Sequence, residues 1–173
     1  MNCTKEEVMS PAVKTYRDFR AFSQAGRDLA HWHLDYETVD CYPGVAVEEV
    51  LSSASSQAPT VIDRRYRVEK MKFAKRKDPE TGKSVNDKTT VIYNDYITLK
   101  SIPLKSYEYI VNGKPALDWI MEHYQITIDK ASGIKNDPND WCREHDNPRY
   151  IVDLIKRGTH VSLVTVKIVG FRR

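Results

Sequence analysis

Eight of the fourteen residues from 64 to 77, RRYRVEKMKFAKRK, are Lys or Arg, and only Glu69 is acidic. The stretch carries about +7 (eight minus one) in a chain whose formal net charge is +3, so the remainder sums to about −4. Cations packed this closely repel one another unless a polyanion neutralises them. One or two Lys on an exposed strand edge would discourage edge-to-edge aggregation, but eight exceed that need. The chemistry such a stretch can do is to follow a phosphate backbone, with Tyr66, Val68, Met71 and Phe73 supplying a packing face between the charges. Lys70, Lys72, Lys75, Arg76 and Lys77 are the candidate phosphate contacts. Arg64, Arg65 and Arg67 are candidates for the same role, or for a forked contact to a guanine edge. Asn94, at the tip of a hairpin, is either a groove contact or a turn residue with no ligand.

Other chemistries fit the sequence poorly. Asn147-Pro148-Arg149-Tyr150 is similar to the Asn-Pro-Pro-Tyr motif of amino-methyltransferases, yet it lacks the second proline, and no Gly-rich loop follows a strand. An N-cap followed by Pro at the first helical position accounts for the same residues. No Asp or Glu is followed two positions later by Lys, so the carboxylate–lysine pattern of a metal-dependent nuclease is missing. Thr81-Gly82-Lys83-Ser84 lacks the first glycine of a phosphate-binding loop. His31 and His33, at i and i+2 of a helix, point to different sides and cannot share an ion. Cys142 and His145 have no second pair at ligand spacing. No metal, cofactor or catalytic set is expected.

These residues must be held by a fold of the α+β class. At 173 residues with 40% hydrophobic content, the chain suits one domain spanning 16–173, preceded by a poorly specified arm at 1–15. Three well-separated Cys fit the reducing cytoplasm, and no apolar run approaches membrane-spanning length, so no membrane partner is expected. Helical spacing of Phe19, Phe22, Leu29, His33 and Tyr36 predicts a helix over about 16–37 with that face buried. Residues 52–60, SSASSQAPT, read as a loop. The alternation at Lys70-Met71-Lys72-Phe73 predicts a basic strand over about 66–74. TTVIY and YITLK flank Asn94-Asp95, which predicts a hairpin over 89–100. A helix over about 115–124 follows Pro115, residues 129–139 read as a loop with two Asx-type turns, and a last helix is expected over about 148–168. Its second half, THVSLVTVKIV, has the propensity of a strand. The expected architecture is a small antiparallel sheet with the three helices packed against it.

From Tyr93 onward the order YNDYITL, YEYIVNGKPALDWIMEHYQI, DKASGIKNDPNDW and NPRYIVDLIKR resembles the C-terminus of type ISP restriction–modification enzymes, often described as bacterial DEAD/DEAH-type helicases. DLAHWHLDYE is similar to the family's entry into this region, and the resemblance runs over roughly 17–169. Residues 1–15 and Gly158-Thr159-His160 depart from the pattern. The family's long polypeptides join a nuclease, a translocating ATPase and an adenine methyltransferase to a C-terminal target recognition domain. The resemblance implies that last part alone: sequence-specific binding of duplex DNA without catalysis, working with the methyltransferase and ATPase/nuclease parts of the same or a companion polypeptide. It also tilts 149–168 towards a helix. A rival reading makes the apolar half (Leu117, Trp119, Ile120, Trp141, Ile151) a docking face for another subunit.

Overall fold

The computed structural model describes residues 15–50 and 64–170. Residues 1–14 of the expected arm and the expected loop at 52–60 lie outside the described residues. The order of elements is α1 (Tyr16–Leu34), β1 (Ala46–Glu49), β2 (Lys72–Lys77), β3 (Ser84–Ile92), β4 (Ile97–Lys100), α2 (Ala116–His123), α3 (Asn139–Glu144) and α4 (Tyr150–Gly170). The four strands form one antiparallel sheet in the order β1-β4-β3-β2. Two short hairpins, 110–115 and 127–136, decorate the helical half.

The core lies between the sheet and α4. Val91, Tyr93, Ile97, Leu99 and Ile102 from the hairpin region meet Ile151, Val152, Leu154 and Ile155 of α4. Asn147 starts that last helix as expected, its Oδ1 accepting from Arg149 N at 2.9 Å, and Tyr150 is buried. The strand-like second half of α4 stays helical because its apolar and small residues recur with helical spacing. Val152, Ile155, Thr159 and Ser162 are all buried on it. Two hydroxyls on that face donate to carbonyls one turn back, Thr159 to Ile155 O and Ser162 to Gly158 O, so their burial leaves nothing unpaired. Gly158 does not bend the helix out of register. A Cβ there would sit 2.5 Å from Ile120 Cδ1, so the glycine leaves room for α2 to pack on α4.

Three expectations are corrected. Helix α1 ends at Leu34, and none of its residues is buried. Phe19 is 58% exposed, and the last turn is pinned through His33 Nε2 to Thr165 Oγ1 at 2.9 Å and Trp32 against His160. A stripe of aromatics at helical spacing suggests burial, but the surface facing α1 covers its residues only in part. The loop expected up to residue 139 gives way to α3, which begins at Asn139. The basic strand occupies 72–77 rather than 66–74, and Arg64–Tyr66 form a 3-10 turn.

Candidate nucleic-acid interface

Residues 67–71 run past the end of β2 without a strand partner, so their backbone groups need other partners. Side chains supply them. The Asn139 carboxamide mimics a strand, accepting from Val68 N at 2.9 Å and donating to Val68 O at 2.8 Å. Asn94 donates to the carbonyls of Arg65 and Arg67 at 2.8 and 2.9 Å, while its Oδ1 accepts from the amides of Tyr96 and Ile97. The Tyr93 hydroxyl donates to Tyr66 O at 2.7 Å, and Ile126 N donates to Glu69 O. Tyr66, Val68 and Met71 turn inward and are buried. The segment is therefore irregular in form yet fixed on both its inner face and its backbone.

Its outer face carries charge. Lys70 and Lys72 are exposed, opposite Met71 and Phe73, as the alternation predicts. They stand on a ridge between two grooves. One, of about 690 Å³, is lined by Arg67, Lys70, Lys72, Asn94, Asp95 and Tyr96. The other, of about 840 Å³, is lined by Lys70, Lys72, Lys75 and Asn86, with Asp118 and Glu122 on the far wall. Lys70 and Lys72 form no side-chain hydrogen bond or ion pair with another described residue. Arg67 differs. Its guanidinium pairs with Asp137 at 2.8 Å, and Lys135 reaches the same carboxylate at 3.1 Å. Burial pushes the Asp137 carboxyl up, but hydrogen bonds from Asn139, Lys135 and Arg67 outweigh it and hold it well below the usual range.

Beyond Phe73 the sheet changes character. Phe73 pairs with Val91, but Ala74 pairs with Asp87, so Lys88, Thr89 and Thr90 are extra residues on β3. Asp87 folds them over: its carboxylate accepts from Thr89 N and from the hydroxyls of Thr89 and Thr90. Those hydrogen bonds, the Thr89 hydroxyl first, hold its carboxyl below the ordinary range. The bulged Lys88 ammonium lies 4.9 Å from the Tyr107 ring centroid and 5.8 Å from that of Phe73. Strand β4 pairs with β3 only at Val91 and Ile92. Residues 74–77 and 84–87 therefore form a two-stranded ribbon with no third strand among the described residues. Its turn is closed by Asp78 and Lys83.

A family model for the Type ISP C-terminal specificity domain matches residues 6–154. The nuclease-deletion form of the Type ISP restriction–modification enzyme LlaGI, solved with a DNA substrate mimic, is 37% identical over 92% of this chain, with a TM-score of 0.68. The chain belongs to the Type ISP C-terminal specificity domains. LlaBIII, an ATP-dependent Type ISP enzyme solved bound to DNA, is 36% identical over 87% of this chain, with a TM-score of 0.66. A cryo-electron microscopy structure of the DrdV–DNA complex shares the fold, at 24% identity over 90% of the chain and a TM-score of 0.61. The chain spans only 11%, 8% and 14% of those three proteins. No curated protein sequence matches it.

In this specificity domain the candidate residues fall in different places. Lys70 and Lys72 share the ridge, and Lys75, Arg76 and Lys77 lie on the ribbon's first strand rather than on a following loop. Arg67 and Asn94 are tied to the scaffold, the first by its ion pair and the second by four hydrogen bonds. Arg65 lies at the clamped turn, and the Arg64 side chain lies outside the described residues. Of the rival docking residues, Leu117 and Ile151 are buried in the core. Trp119, Ile120 and Trp141 line a cleft of about 400 Å³. Sequence reasoning missed Asn139 and Asn86. Asn139 was visible only as a turn residue after Pro138, and Asn86 gains meaning only from the register that sets it opposite Lys75. No helix among the described residues is long and apolar enough to cross a membrane.

Proposed function

We propose that this chain binds double-stranded DNA as the target recognition part of a restriction–modification enzyme, with no catalysis of its own. Residues 16–173 act as one unit, in the cytoplasm, and present DNA to the methyltransferase and ATPase/nuclease parts of the same or a companion polypeptide. The observation that carries this reading is the Lys70–Lys72 ridge, without side-chain partners among the described residues, beside a backbone that Asn139 holds at Val68, and flanked by two open grooves. A backbone that is already held has less freedom to lose when a phosphate arrives at its side chains, which favours association. The DNA carried by LlaGI and LlaBIII in their solved structures supports the same conclusion.

Duplex affinity measured across a salt series tests it. Each phosphate neutralised contributes about 0.9 to the slope of log affinity against log salt. The wild-type chain should therefore show a steep slope, and changing Lys70 and Lys72 to Ala should flatten it by about two units. Absent or salt-insensitive duplex binding by a folded chain would overturn the reading.

A further inference from the structure

The ribbon's two faces differ in a way that the ridge does not explain. Cross-strand partners share a face, so Lys75 with Asn86 and Lys77 with Ser84 lie on one side, and Ala74 with Asp87 and Arg76 with Val85 on the other. All four residues of the first side are exposed, and none is acidic. The acids nearby are engaged elsewhere: Asp87 with Thr89 and Thr90, Asp78 with the Thr81 hydroxyl and Glu80 N, and, across the groove that Lys75 and Asn86 line, Asp118 with Lys88 at 3.7 Å and Glu122 with Lys114 at 2.6 Å. Lys75 Nζ donates to Asn86 Oδ1 at 2.6 Å. That bond takes one lone pair of the carboxamide oxygen, and the Asn86 NH₂ and the remaining ammonium protons stay available as donors on two exposed side chains. The pair is thus a cluster of donors on a polar, projecting strand pair.

Given the duplex binding proposed above, on which this step rests, we infer that the 74–77/84–87 ribbon enters the major groove and that Lys75 and Asn86 read a guanine edge. Guanine presents two adjacent acceptors there, O6 and N7, whereas adenine adds a donor that would oppose another donor. Size points to the same groove. Two strands lie about 4.8 Å apart and approach 10 Å across with side chains, which suits a groove about 12 Å wide and not one of about 6 Å. Four residues of strand extend the ribbon by about 13 Å, more than the groove's depth of about 8.5 Å. Lys70 and Lys72, set back at the ribbon's base on the fixed segment, hold phosphates while the ribbon reads.

Selection of duplexes from a randomised pool by the 173-residue chain tests this directly. The wild type should enrich a motif with at least one fixed G·C pair. Asn86→Ala and Lys75→Ala should each relax that position by about five- to 150-fold, the range expected for one paired base contact. Lys70→Ala and Lys72→Ala should lower affinity for all sequences alike and leave the motif intact. An unchanged motif in the Asn86 and Lys75 variants overturns the inference, as does a uniform loss of affinity with base preferences kept, which would make the ribbon a phosphate contact. Duplex binding without any enriched motif removes base reading and leaves the proposed DNA binding standing. No binding by the folded wild type removes both. Circular dichroism of each variant separates these results from misfolding, and Asn86→Asp adds a second check. It should turn the donor pair into an internal ion pair and abolish the guanine preference more completely than Ala.

Discussion

The basic segment splits into two regions built on opposite plans. Residues 65–71 have no strand neighbour, yet they are tied down by the side chains of Asn94, Tyr93 and Asn139 and by three buried residues of their own. Residues 74–77 and 84–87 have regular strand pairing, yet no third strand among the described residues flanks them. Regular pairing is therefore not what ties a segment to the core in this domain. A segment becomes stiff when its backbone groups and apolar side chains are held by the core, whatever its dihedral angles. The stiff region suits a contact that must sit at one place, and the projecting one suits a contact that must reach.

Charge reversal should give the largest effect and test the division of labour. Changing Lys70, Lys72 and Lys75 together to Glu should lower duplex affinity at least about a hundredfold, since attraction to phosphate becomes repulsion. Fold stability should move by no more than about 0.5 kcal/mol, because exposed charges contribute little. Titration by fluorescence anisotropy beside a thermal melt measures both. A large loss of stability would mean that these side chains support the fold and that the ridge is not a free surface.

Next in size is the clamp. Asn139→Ala leaves Val68 N and O buried without partners, which should cost about 2–6 kcal/mol at about 1–3 kcal/mol for each orphaned group. Denaturant unfolding measures it. Duplex affinity at low denaturant should fall as well, since Lys70 follows directly on the loosened backbone. An Asn139→Ala protein of wild-type stability would show that the segment is held by its buried side chains alone.

Much of this was legible in the sequence, and what was not shares a cause. The hairpin around Asn94, the cap at Asn147, the helices on a small sheet and the opposed directions of Lys70/Lys72 and Met71/Phe73 all follow from local patterns. Such signals depend on neighbours a few residues away. The displacement of the basic strand to 72–77 does not, because residue 139 takes the place of a strand beside residue 68. Equally illegible was the exposure of α1. Periodicity shows which side of a helix is apolar, but the surface that covers it comes from elsewhere in the chain. Asn86 was unreadable because its partner is fixed by a register that skips three residues of β3.

Hydrogen exchange followed by mass spectrometry compares the two regions without a mutation. Amides of 84–87 should exchange through small local openings, while those of Val68 and Ile97 should approach the protection of the core. A protection difference of at least about tenfold is expected, and addition of duplex should slow exchange in the ribbon more than in the clamped segment. Equal protection in the free protein would remove the contrast.

The smallest expected effect concerns Asp137, where the clamp meets the charge. Its carboxylate accepts from Asn139, Arg67 and Lys135 and keeps Asn139 oriented towards Val68. Because the folded protein holds this carboxyl below the unfolded value of about 3.9, the ionised form favours folding. That contribution is complete above about pH 4 and is lost as the pH falls through the lower, folded value. Wild-type stability should thus decline on acidification in this window by more than that of Asp137→Asn, which keeps an acceptor for Asn139 but has no proton to take up. The variant should be the less stable of the two at pH 7, and the gap should narrow as the pH drops below about 4. Thermal melts of both proteins at pH 7 and at a series of lower values read the difference directly. A gap that stays constant through the acid range would show that Asp137 acts through its shape and not its charge, and that Arg67 is free to leave it for a phosphate.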